Sequence, residues 1–62
     1  MRKVLMIKSK NKGELIKKQD IIARRVNGKG ILPTTENLNK ILNKKLKKNI
    51  KEIRKMSWEF IQ

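Results

Sequence analysis

Apolar and polar positions follow a helical rhythm through the second half of this chain. At about 100° per residue, Leu38, Ile41, Leu42, Leu46, Ile50, Ile53, Met56 and Phe60 gather on one arc. Lys40, Lys44, Lys47, Lys48, Lys51, Arg54 and Lys55 fall on the opposite arc. The pattern predicts a long amphipathic C-terminal helix over residues 33–61, apolar on one flank and cationic on the other. Leu42, Leu46 and Ile50 step by four, so the apolar stripe drifts around the axis. Residues 47–49 are where one curved helix would bend or divide into a pair. Trp58 falls off the stripe and is left for a second contact.

The first half is patterned differently. Val4 to Ile7 is a short apolar run bounded by charges, followed by Lys8-Ser9-Lys10-Asn11-Lys12-Gly13. Residues 1–13 therefore read as a short N-terminal β-strand with a polar loop, or as a basic arm. Residues 14–27 read as a short helix, with Leu15, Ile16, Ile22, Ala23 and Val26 sharing a face and Lys17, Lys18, Arg24 and Arg25 turned away. Asn27-Gly28-Lys29-Gly30 ends it, since glycine supplies the left-handed backbone of a C-terminal stop. Leu32 precedes a proline and is driven towards extended geometry. Thr34 or Thr35 caps the next helix, and Glu36 suits its first turn. The fold class expected is mainly α: one small basic helical domain over 1–62, with a possible short strand in front.

Composition adds a strong electrostatic bias. Eighteen Lys and Arg oppose five Asp and Glu, a formal net charge of +13. Charge of that size works against compaction and favours an anionic partner. A chain of 62 residues has a limited core. With no Cys for disulfides, oligomerisation or docking on a larger protein is the expected reinforcement. No signal peptide or membrane-length apolar run is visible, so a cytoplasmic protein without membrane contact is expected.

Chemistry is poorly supplied. Without His or Cys, the usual general base and thiol nucleophile are missing, and the acids Glu14, Asp20, Glu36, Glu52 and Glu59 form no metal-binding pair. No enzyme activity, catalytic residue, metal, cofactor or small-molecule substrate is expected. The cationic arc is the better lead. Lys40, Lys44, Lys47, Lys48, Lys51, Arg54 and Lys55 are candidate phosphate contacts, and Gln19, Arg24 and Arg25 candidate base contacts. Trp58, Phe60 and Ile61 form an apolar end suited to a partner protein or a second copy.

Asn27-Gly28-Lys29, Pro33, Glu36, Leu38, Lys40-Ile41, Leu46, Ile50 and Glu52-Ile53 resemble the closing portion of the phage-repressor, Cro-type helix-turn-helix family. The resemblance covers residues 19–53. It implies that a helix ending at Val26 takes the recognition position, with Gln19, Arg24 and Arg25 nearest the major groove. One residue more than the family has separates the turn from the proline, and Asn27 arrives too early for two preceding helices. A strand followed by two helices also resembles the ribbon-helix-helix repressors. Both resemblances imply a DNA-binding regulator of transcription or recombination, acting on double-stranded DNA. The Lys, Ile and Asn bias suits an AT-rich bacterial or phage source. A modulator that docks on an enzyme or regulator, and a ribosome-type RNA binder, are the alternatives.

Overall fold

A computed structural model describes all 62 residues and corrects the expected fold class. The chain is not mainly α. Strand β1 (Arg2–Met6) lies at the centre of a three-stranded antiparallel sheet, between β2 (Ile21–Arg25) and β3 (Arg54–Lys55). The one α-helix, α1 (Thr35–Ile41), has seven residues. Single 3-10 turns cover Lys18–Asp20 and Trp58–Phe60. No helix is long and apolar enough to cross a membrane.

The N-terminal run forms the strand that its apolar residues suggested. Val4, Leu5 and Met6 are all buried. The helix expected over 14–27 does not form, and with it goes the recognition helix implied by the resemblance. Ile21, Ile22 and Ala23 instead pair with Met6, Leu5 and Val4. Two adjacent isoleucines are better served by a strand, whose alternate faces take one each, than by a helix that leaves Ile21 off its stripe. The stop survives the change of element: β2 ends at Arg25 and Gly28 has φ of +89°.

Helix α1 begins as its sequence suggests. The Thr34 Oγ1 accepts from the Asn37 N–H at 3.1 Å, and Glu36 sits in the first turn. It ends at Ile41, twenty residues short of the expected end, and Asn43 then takes φ of +64°. The cause is electrostatic as well as conformational. A continuous helix would stack Lys40 on Lys44, Lys44 on Lys48, Lys47 on Lys51 and Lys51 on Lys55, four like-charged pairs one turn apart. Asn tolerates the left-handed conformation that releases the chain.

Beyond Asn43 the chain is extended and irregular. Residues 44–50 run antiparallel to residues 10–16, with bridges Leu15–Lys45 and Lys10–Ile50. Eighteen of thirty backbone hydrogen bonds lie outside the regular elements, so these long-range bonds carry the second half of the fold. Its apolar residues still reach the core. Ile41, Leu46, Ile50, Met56, Phe60 and Ile61 join Val4, Met6, Ile16 and Ile31 in one cluster. Ile53, expected on the same stripe, is 71 % exposed.

Asp20 is the one buried polar side chain. Its Oδ2 accepts from the Lys17 N–H at 2.8 Å and from Lys10 Nζ at 2.5 Å. Burial alone would raise its pKa. The Lys10 and Lys17 hydrogen bonds outweigh burial and hold the carboxyl below its ordinary value. This pair fixes the turn that feeds β2, a role the sequence pattern did not reveal.

Candidate nucleic-acid interface

The register of β1 against β2 sets like charges opposite one another. Arg2 pairs with Arg25, and Lys3 with Arg24. Directly opposed like charges destabilise an antiparallel pair, and here two such pairs follow in succession. Because side chains alternate along a strand, Arg2 and Arg25 share the face of Val4, which is the core face. Lys3 and Arg24 stand on the opposite face, with Leu5, Ile22 and Lys55.

The basic strip continues towards β3. The Lys3 stem lies against Gly30, where an added Cβ would come within 3.3 Å of it. Gly30 and Lys29 line a shallow groove of about 440 Å³ with Ile53, Arg54, Lys55, Met56, Ser57 and Phe60. Lys55 Nζ donates to the Asn27 carbonyl at 2.6 Å, which ties the 27–30 loop to β3. A Cβ at Gly28 would meet only the movable end of Lys55 at 2.8 Å, so it is the positive φ that favours glycine there. The groove ends at Phe60, whose ring centroid lies 4.8 Å from Lys48 Nζ and 4.9 Å from Arg54 Cζ.

None of these cations is neutralised by a carboxylate. The molecule has two ion pairs, Lys10–Asp20 and Lys40–Glu36, the latter at 3.4 Å on exposed helix. Two of eighteen Lys and Arg are thus paired and sixteen are not. An anion spanning Arg24, Lys3, Lys29 and Lys55 would relieve the cross-strand repulsion as well as binding there.

The expected phosphate contacts do not form one face. Lys48, Arg54 and Lys55 meet at the groove. Lys40 is tied to Glu36, and Lys44, Lys47 and Lys51 are exposed along the extended 44–51 segment. The expected base contacts also separate. Arg24 and Arg25 stand at the far end of β2, and the exposed Gln19 lies in the turn before it, on the order of 15 Å away at a strand's rise per residue. Of the apolar end, Phe60 and Ile61 are buried and unavailable to a partner. The chain's tail is drawn into the core because Lys47 N–H donates to the Phe60 carbonyl and Gln62 N–H to that of Lys45. Trp58 alone stays 45 % exposed.

Lys3 and Lys29 enter the strip without having stood out in the sequence. Their relevance depends on the strand register, for which the chain carries no local mark. Compared with protein-family models, curated proteins and solved structures, the chain matches none.

Proposed function

We propose that this chain is a non-enzymatic nucleic-acid-binding protein that grips the phosphates of duplex DNA with the basic strip across its sheet. The observation that carries this reading is the opposition of Lys3 to Arg24 on the face that Lys55 shares, with no carboxylate in reach. A fold tolerates such pairs at a stability cost, and a phosphate offsets the cost on binding. Duplex is favoured over single strand because base stacking needs exposed aromatic rings. The chain has one Phe and one Trp, and only the Trp is exposed. Contacts of this kind hold the backbone and do not read base edges. The role that fits is an accessory in a phage-like transcription or recombination complex, not a sequence reader.

The test is Arg24→Glu. It places a carboxylate opposite Lys3, so the two effects have opposite signs. The variant should melt higher, by the equivalent of about 0.2–1 kcal/mol for a cross-strand ion pair. Its affinity for duplex DNA in a band-shift titration should fall at least tenfold. For the parent protein, affinity should drop roughly tenfold or more between about 50 and 200 mM salt, and Arg24→Glu should flatten that slope. A variant that melts higher and binds DNA as before would remove the reading. Equal titrations against duplex RNA and heparin separate DNA from other polyanions.

A further inference from the structure

We infer that the free edge of β2 is a docking site for an extended, acidic and apolar segment of a partner protein, which adds to the sheet as a fourth strand. β2 is an outermost strand of the order β2-β1-β3. Val4 sends its N–H to Ile31 and its carbonyl to Met56, both on the β3 side. The facing Ala23 is therefore a non-hydrogen-bonded position in the β1–β2 ladder. By the same alternation, Ala23 directs its N–H and carbonyl outward, as Ile21 does its carbonyl and Arg25 its N–H. Along that edge the one inward claim is a long 3.3 Å contact from the Arg24 guanidinium to the Ala23 carbonyl. The Ile21 N–H is already used by the Lys18 carbonyl. Four ladder groups thus remain for an incoming strand.

A side-chain socket lies beside this edge. Val4, Ile21, Ile22, Ala23, Leu38 and Leu42, with Lys18 at the rim, enclose about 220 Å³ between β2 and α1. The small Ala23 side chain leaves the space open. A residue paired opposite Ala23 would share its face and project its side chain into the socket. One branched aliphatic residue fits there. The residue opposite Arg25 would meet Arg25 and Arg2, and the one opposite Arg24 would meet an exposed guanidinium. The complementary segment therefore carries an aliphatic residue with carboxylates two positions away.

Charge also selects against a second copy. Antiparallel pairing of two β2 strands about Ala23 would bring together two chains of net charge +13 and offer no carboxylate to either pair of arginines. The site shares Arg24 with the basic strip across the sheet, so nucleic acid and the acidic segment would compete for that guanidinium, while the groove at the β3 side is separate from this edge.

A fluorescent acetylated peptide with glutamate, leucine and glutamate on one face and threonines on the other serves as the probe, at moderate salt. Binding should raise its anisotropy and slow hydrogen exchange at the Ala23 and Arg25 amides. A peptide N-methylated at the leucine and its neighbours should bind at least tenfold more weakly, as should one with lysines replacing the glutamates. Ala23→Leu fills the socket and should weaken peptide binding at least tenfold while leaving DNA band shifts unchanged. The inference is overturned if N-methylation has no effect, or if Ala23→Leu, shown folded by circular dichroism, binds the peptide as before. It is overturned too if the free protein sediments as a dimer with the Ala23 and Arg25 amides already protected.

Discussion

The two edges of the sheet are built by different means. At the β3 edge only two residues are strand, yet Met56, Phe60 and Ile61 next to them are buried in the main cluster. The β2 edge has five residues of strand, half-buried at most, and its entry is held by one buried ion pair, Lys10–Asp20. Apolar mass secures the first and a polar clasp the second. A +13 chain of this size thus holds its two edges without using its unpaired cations for either. Unpaired cations stand at both edges, Lys48 and Arg54 over Phe60 at the packed one and Arg24 and Arg25 at the clasped one, which also keeps its backbone groups free.

Removing the apolar mass should have the largest effect. Phe60→Ala is expected to cost about 4 kcal/mol, as for other buried aromatics. A domain of this length has a total stability of roughly 3–9 kcal/mol, so the variant should be largely unfolded at 37 °C by circular dichroism. A loss under about 1 kcal/mol would mean that the β3 edge is not held by its core.

Opening the clasp should come next. Asp20→Ala leaves the Lys10 ammonium without its carboxylate and should cost about 3 kcal/mol. The loss should be uneven, with amide protection falling first in β2 and at Ile7, whose N–H is held by the Asp20 carbonyl, and later at Met56. Even loss across both edges would erase the contrast. The same clasp sets an acid limit. Because folding depresses the Asp20 pKa, its contribution is present above the ordinary carboxylate value of about 3.9 and is lost as pH falls through the lower folded value. Melting temperature should therefore bend down below about pH 4 in the parent, and Asp20→Asn should remove that part of the bend. Persistence of the full bend in the variant would assign it to other carboxylates.

Arg24→Glu tests the charge carried at the clasped edge, with an expected affinity loss of tenfold or more, worth about 1.4 kcal/mol. The smallest effect should be at Ile53, which the structure turns to solvent. Ile53→Thr should change stability by no more than about 0.5 kcal/mol. A loss of several kcal/mol would restore Ile53 to the apolar stripe of a helix and contradict the extended path of residues 44–55.

Some elements were legible in the sequence because their cause is local. Thr34 caps α1 through its own hydroxyl, Gly28 permits a positive φ by lacking a Cβ, and Val4 to Met6 form a strand in a short apolar run closed by a polar loop. The net charge of +13 needs no fold at all. The course of residues 42–62 was not legible. Apolar residues four apart mark a helix face, but a bent chain that returns to the core at Leu46, Ile50, Met56 and Phe60 leaves the same spacing. Long-range bonds decide between them: residues 10–16 offer the backbone of 43–50 partners from which no lysine need stack on another. Strand register likewise belongs to the tertiary structure alone. It sets Lys3 against Arg24 and Ala23 on the free edge, and both candidate sites follow from that pairing of residues about twenty positions apart.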